Sequence, residues 1–208
     1  AASHAALQPA LSLSDDRAMR MENHQRCEFI LGGQRSGKSR CGERRAADWL
    51  AGAPGRRAVL LATALAGDGE MRERIERHRL DRLERVPAMA TDEDCLDLAA
   101  ALRRHAAPDT LVLVDCLTLW TTRWLMPLEG EPADATRWQA ACDALAAALQ
   151  QAPGPVVLVS NEIGLGLAPL SREARHFVDA LGRLHQQVAA VCARVTLMVA
   201  GLEMAVRR

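Results

Sequence analysis

Tyrosine is absent from this sequence of 208 residues, and aromatic residues make up only 3% of it. So few flat rings leave no stacking platform for single-stranded nucleic acid. No charge of one sign prevails: 26 basic residues meet 26 acidic ones, which removes any bulk attraction to a polyanion or an anionic membrane. No nucleic-acid partner is therefore expected. No apolar run approaches the ~18 residues of a membrane span. No basic segment leads into an apolar stretch near the first residue, so no secretory signal is expected either. The six cysteines, at 27, 41, 95, 116, 142 and 192, include no C-x-x-C pair. In a chain of this size they predict small buried hydrophobes, no disulfide framework and a reducing cytoplasm.

What the sequence does carry is a complete G-x-x-x-x-G-K-S pattern, Gly32-Gly33-Gln34-Arg35-Ser36-Gly37-Lys38-Ser39. It follows an apolar run over residues 27–31 and opens a helical stretch, the strand–loop–helix context that gives the motif its meaning. Glycines let successive backbone N–H groups turn around a phosphate, where a helix N-terminus adds its positive end. Lys38 is placed to reach the terminal phosphates, and the Ser39 hydroxyl to take one position on Mg²⁺. These residues predict a nucleotide-binding protein.

Residues 1–25 show no period and mix Ser, Pro, Asp and Gln; they are expected to be a disordered extension, with Met19 and Met21 as candidate native starts. Residues 26–208 are expected to form one domain. Helices are predicted from residue 37 to about 50, 70 to about 83, 117–125, 134–151 and 171 to about 192. Asp92 or Asp94 is the expected cap of another, ending near His105. Strands are predicted at 27–31, 57–63, 111–115, 155–160 and 195–200, with a short one at 202–206. Alternating strands and helices mean an α/β fold, a mainly parallel sheet covered on both faces. The strand over 57–63 is expected to neighbour the loop strand.

Several residues then carry candidate chemistry, each beside a plainer reading. Asp115 ends an apolar strand, where a carboxylate can hold Mg²⁺, or cap the next helix. Glu162, in Asn161-Glu162-Ile163-Gly164, follows another strand at the edge where ligands gather, or belongs to a polar turn. His78 lies among Arg72, Arg74, Arg77, Arg79 and Arg82. A run of this kind is either a salt-bridged solvated face or a cationic site holding a neutral imidazole that can attack phosphorus.

At these residues the sequence resembles a family, the bifunctional adenosylcobinamide kinase/adenosylcobinamide-phosphate guanylyltransferases of cobalamin biosynthesis. The resemblance runs in order over about residues 27–203. It is carried by GGQRSGKS, ATALAGDGEMRERIERHR, LVLVDCLTLW and VVLVSNEIGLGLAPLSREARHFVDALGRLHQQVAA. It implies a RecA-like phosphate-loop fold, a homotrimer, and two reactions. ATP or GTP would phosphorylate the adenosylcobinamide hydroxyl, and GMP from GTP would then pass to that phosphate through a guanylyl-histidine. The family's R-I-x-x-H histidine falls on His78, with Lys38 as the other catalytic residue. Nucleotide contacts fall on Gly32 to Ser39, on Ala62, Thr63 and Ala64, on Arg79, Leu80, Asp81 and Arg82, on Glu93 and on Asp115; Ser39 and Asp115 fall at the Mg²⁺ positions. The chain departs from the pattern at Leu83, where proline is usual, and at Arg123 and His185, where asparagine is common. Other readings of the same residues are a single-activity small-molecule kinase and a nucleotide-switched assembly protein.

Overall fold

In a computed structural model, residues 27–65 and 69–208 are described; the expected N-terminal extension and Gly67-Asp68 lie outside them. The elements run β1 (Cys27–Gly32), α1 (Lys38–Ala51), β2 (Arg57–Ala62), α2 (Gly69–Arg85), β3 (Met89–Asp92), α3 (Leu98–His105) and β4 (Thr110–Asp115). They continue α4 (Leu117–Leu125), α5 (Ala135–Gln151), β5 (Val156–Asn161), α6 (Arg172–Val191), β6 (Arg194–Val199) and β7 (Leu202–Arg207). The seven strands form one sheet in the order β3-β2-β4-β5-β1-β6-β7, parallel except for β7.

The central strands are nearly continuous apolar runs because both their faces are covered. Phe29, Val112, Val114, Val156 and Leu158 pack on one face against α3 to α6, with Leu98, Trp120, Leu145 and Leu181 among the buried partners. Ile30, Leu60, Leu111, Leu113, Val157 and Val159 alternate onto the other, against Cys41 and Ala46 of α1 and Val86 after α2. Each fully buried Leu, Ile or Phe contributes roughly 1.5–3 kcal/mol. Helix α1 lies close on the sheet: a Cβ added to Gly42 would come 2.7 Å from Leu113 Cδ1. That closeness fixes the helix that opens from the phosphate loop.

Three expectations are corrected. The strand over residues 57–63, here β2, does not neighbour β1; β5 and β6 do, and β2 lies three places away. Parallel strands joined through helices need not pair in chain order, so sequence adjacency carried no information about this. Helix α3 is capped by Asp97, which accepts from Ala100 N at 2.9 Å, and not by Asp92 or Asp94. Asp92 ends β3 and instead accepts from Arg104 at 2.6 Å and contacts His105 Nε2 at 2.7 Å. Finally, Cys27 and Cys192 form a disulfide across 165 residues, while Cys41, Cys95, Cys116 and Cys142 are free and buried. One bond is not a framework, and its pairing follows from β1 and the end of α6 meeting in three dimensions.

Candidate active site

The loop between β1 and α1 depends on its glycines at two points. A Cβ on Gly32 would lie 2.6 Å from both the Met198 carbonyl oxygen and Ser36 Oγ. Gly37 adopts φ 98°, a left-handed conformation, as the residue before α1. No side chain caps that helix, so its first N–H groups are left for an anion. Lys38 is the single lysine among the 26 basic residues of the chain. It is buried, and its ammonium donates to the Gly33 carbonyl at 2.5 Å and to Ser36 Oγ at 3.4 Å. One positive charge is therefore fixed inside the turn, while Gly33, Gln34 and Arg35 on its rim are exposed.

Two supports of this loop escaped sequence reasoning. The β6–β7 turn, with Ala200 and Gly201 both left-handed, props it: Gly201 N donates to the Ser36 carbonyl at 3.0 Å. The signal was Ala200-Gly201 between two apolar runs, a hairpin pattern. The second support ties α1 to the sheet. Buried Glu28 of β1 receives Arg45 Nε at 2.8 Å and Nη2 at 3.1 Å, and Thr196 Oγ1 at 2.9 Å. Arg45 also donates to Glu203 of β7 at 2.6 Å, and Arg44 bonds the same carboxylate. Burial pushes the Glu28 pKa up, but the Arg45, Thr196 and Arg194 interactions outweigh it and leave it lowered. The Arg45 hydrogen bond, against a smaller burial effect, holds Glu203 at about 2.

Asp115 ends β4, half-buried, and its carboxylate makes no hydrogen bond to the described residues. The residue before α4 is Cys116, without a side-chain cap, so Asp115 is not spent in capping. Thr63 is fully buried and is spent: its N–H donates to the Asp115 carbonyl at 3.2 Å, its hydroxyl donates to the Cys116 carbonyl at 2.7 Å, and it accepts from Cys116 N at 2.8 Å. It shapes the turn beneath Asp115. The donor set of Ser39 and Asp115, one hydroxyl and one carboxylate, suits a hard cation whose other ligands are phosphate and water oxygens. Among the described residues no group of three or more His, Cys, Asp or Glu could cage a metal alone.

Glu162 lies beside the loop. Its N–H donates to the Gly32 carbonyl at 2.9 Å, immediately after the Gly32–Asn161 pair that joins β1 and β5. Its carboxylate accepts from Gly164 N at 2.7 Å and stands 3.7 Å from His185 Nδ1. His185 is buried on α6, and burial lowers its pKa below the usual histidine range against the opposing pull of Glu162.

The other predicted residues stand farther out. Ala62, Thr63 and Ala64 lie at the end of β2, three strand spacings from β1, and Glu93 follows β3 at the edge, four spacings or about 19 Å away. His78, Arg79 and Leu80 are exposed on α2, with Asp81 and Arg82 half-buried. Helix α2 reaches the loop helix through its last residue: Arg85 donates to buried Glu43 of α1 at 2.7 Å and to Asp81 at 3.2 Å. His78 makes no hydrogen bond or ion pair with the described residues. The structure thus gathers the loop and Glu162 at the carboxyl edge of the sheet, with Asp115 at the end of β4 two places from β1, and carries His78 on the exposed part of α2. A cleft of about 220 Å³ between α5 and α6, lined by Trp138, Cys142, His176 and Arg183, contains none of these residues.

Residues 28–206 match the model of the family described as cobinamide kinase / cobinamide phosphate guanyltransferase. The chain belongs to this family. Relatives of cobinamide kinase / cobinamide phosphate guanyltransferase type include the bifunctional adenosylcobalamin biosynthesis protein CobP of Pseudomonas aeruginosa, 47% identical over 178 residues, 85% of this chain and 95% of that protein. The bifunctional adenosylcobalamin biosynthesis protein CobU of Salmonella typhimurium is 37% identical over 184 residues, 84% of this chain and 96% of its own length. Among solved structures, the flagellar accessory protein FlaH of Methanocaldococcus jannaschii superposes with a TM-score of 0.47 at 12% identity, covering 94% of this chain and 85% of that one.

Proposed function

We propose that this chain phosphorylates the hydroxyl of adenosylcobinamide with ATP or GTP and then transfers GMP from GTP to the new phosphate. The observation that carries the reading is the single phosphate loop, with the chain's one lysine inside it, in a member of this family. Both reactions move phosphorus between nucleophiles and need charge neutralised as it develops. Gly32 to Ser39 would hold the triphosphate in each, with the Lys38 ammonium at the terminal phosphates. Ser39 and Asp115 would hold Mg²⁺ together with phosphate oxygens, and the ion, when bound, adds positive charge there.

In the transfer step His78 Nε2 or Nδ1 attacks the α-phosphorus of GTP. An N–P bond forms, the bond from that phosphorus to the bridging oxygen breaks, and pyrophosphate leaves. The substrate phosphate then displaces the histidine to give the GDP-linked product. Support for His78 is its place in the R-I-x-x-H pattern, amid five arginines, on a helix whose end is tied to the loop helix. Residues Arg79 to Arg82 are assigned to the nucleotide by the same position, with the two arginines serving its phosphates. Glu93 is assigned to the nucleotide on the family pattern alone.

A homotrimer belongs to this reading, supported by apolar side chains open to solvent on β7 and after β5, including Leu202, Met204, Leu165, Leu167 and Leu170; light scattering on the purified chain tests it. No helix among the described residues is long and apolar enough to cross a membrane. A cytoplasmic setting belongs to this reading, with the four free, buried cysteines for it and the Cys27–Cys192 disulfide against it.

The exposure of His78 would equally suit a single-activity kinase, in which it merely touches phosphate. Incubating the protein with Mg²⁺ and GTP labelled on the α-phosphate separates the two. The bifunctional reading expects acid-labile, base-stable label on the chain; a chain that phosphorylates the substrate yet never takes label is a kinase only.

A further inference from the structure

Behind the sheet edge runs a line of polar groups that starts from a fixed donor and ends facing a carboxylate. Asn161 N–H, which can only donate, bonds Thr118 Oγ1 at 2.8 Å. Thr118 Oγ1 is 3.1 Å from Ser160 Oγ, and Ser160 Oγ is 2.8 Å from His185 Nε2. His185 Nδ1 faces Glu162 Oε2 at 3.7 Å, and the carboxylate can only accept. With a donor at one end and a carboxylate facing the other, one arrangement of a neutral imidazole suits every group. Thr118 donates to Ser160, Ser160 donates to Nε2, and the neutral imidazole carries its proton on Nδ1, aimed at Glu162. Ser160 is fully buried and His185 nearly so, with Phe29 packed against the imidazole at 5.4 Å between ring centroids. The buried Ser160 hydroxyl is therefore no nucleophile; the line serves to set the imidazole, and the imidazole to set the carboxylate.

The Glu162 carboxylate, like that of Asp115 assigned to Mg²⁺ above, differs from those that arginines hold. Glu28, Glu43, Asp92 and Glu203 are each bonded by an arginine, which makes them poor proton acceptors. Among the described residues Glu162 has no arginine or lysine partner; it has a neutral imidazole and one backbone N–H. Each of its oxygens keeps acceptor capacity, and its side chain is 24% exposed at the edge it shares with the phosphate loop.

We propose that Glu162 is the catalytic base of the kinase step, with His185 as its positioning residue. This rests on the kinase reading above. As the substrate hydroxyl oxygen attacks the γ-phosphorus, its proton passes to the Glu162 carboxylate, the P–O bond to the departing nucleoside diphosphate breaks, and the carboxylic acid later returns the proton to water. The transfer step differs: its acceptor is a phosphate oxygen that has no proton to lose, so Glu162 is not required there. The final 3.7 Å contact is longer than a hydrogen bond, in keeping with catalytic contacts that tighten on substrate binding.

The test uses the full chain with Mg²⁺, ATP and cobinamide for the kinase step, and cobinamide phosphate with GTP for the transfer step. Glu162→Gln keeps the shape and the acceptor for Gly164 N but removes the base; kinase kcat should fall about 10²- to 10⁴-fold with nucleotide KM and transfer rate within a few-fold of wild type. His185→Ala should lower kinase kcat about tenfold, since the carboxylate loses its orienting donor but not its chemistry. His185→Asn, whose amide can place a donor near the Nδ1 position, should recover most of that loss. A purely structural role for His185 would lower both reactions together and gain nothing specific to the kinase step from asparagine. A Glu162→Gln enzyme whose kinase kcat stays within tenfold of an active wild type, or whose two reactions fall equally, overturns the assignment. A wild-type chain with transfer but no kinase turnover would instead overturn the kinase reading itself, and this assignment with it.

Discussion

The phosphate loop and helix α2 share the proposed work on nucleotides, yet they are held in opposite ways. The loop is enclosed: Gly32 sits where no side chain fits against Met198, Lys38 is buried within the turn, and Gly201 props Ser36 from the far side of β6. Helix α1 behind it is pressed on Leu113 and tied to β1 and β7 through Arg45. Helix α2, by contrast, is mostly solvated, and its joint to α1 is the Arg85–Glu43 pair at its last residue. The difference fits two kinds of chemistry. A triphosphate must be met by donors already in place, because reorienting them would consume their advantage. A histidine that accepts GMP and then gives it up must meet two different partners in turn, and an exposed helix position suits that task better than a strand end.

Removing the chemistry of α2 separates the two regions most sharply. His78→Ala should abolish label transfer from α-labelled GTP and formation of the GDP-linked product, while the kinase step stays within a few-fold of wild type. Label persisting on that variant would have to be mapped elsewhere, with exposed His176 next in line, since His185 is buried. Lys38→Ala strikes the enclosed region instead and should cost both reactions about 10²-fold or more. Normal transfer beside a lost kinase step would reveal a second triphosphate site and break the shared-loop reading.

The joint between the regions is open to a milder test. Arg85→Ala leaves Glu43 buried without its charged partner, and the unfolding free energy in urea should fall by roughly 1–3 kcal/mol. Transfer should suffer more than phosphorylation, because α2 carries the acceptor His78 for transfer but only the Arg79 to Arg82 contacts for phosphorylation. Equal losses would mean that α2 is needed for both. The smallest effect belongs to the bracing of α1. Glu203 is held at about 2 in the folded chain, below the ~4.3 of a free glutamate. The folded state therefore binds fewer protons between those values, so the stabilisation is complete above about pH 4.3 and is lost as pH falls toward 2. The gap in urea midpoint between wild type and Glu203→Gln should be widest near neutrality, narrow below about pH 4.3 and close only as pH falls through about 2; a gap independent of pH would mean that the ion pair contributes little.

Sequence patterns made the loop legible because it is local: eight consecutive residues carry the glycines, lysine and serine of the motif. The strands were legible for a related reason, since burial on both faces makes each an apolar run. Strand order was not, and with it went the expectation that β2 lies beside β1. The Ser160–His185–Glu162 line was equally hidden, because residues 160 and 185 belong to β5 and α6 and are ordinary in isolation. Helix α3 began late because Asp92, Asp94 and Asp97 all offer caps, and pairing with Arg104 and His105 removed Asp92 from the choice.

The place of β1 in the sheet has a consequence for how the chain comes to be folded. The first described strand pairs with β5 and β6, whose residues lie between 156 and 199. During synthesis it must wait for well over half of the chain before either neighbour exists, and closing such separations is slow. Helix α2 and strands β2, β3 and β4 are complete long before that. The phosphate loop, made with β1 before the other described elements, is thus among the last to gain both flanking strands, and β1 lacks these partners in nascent chains that end before β5.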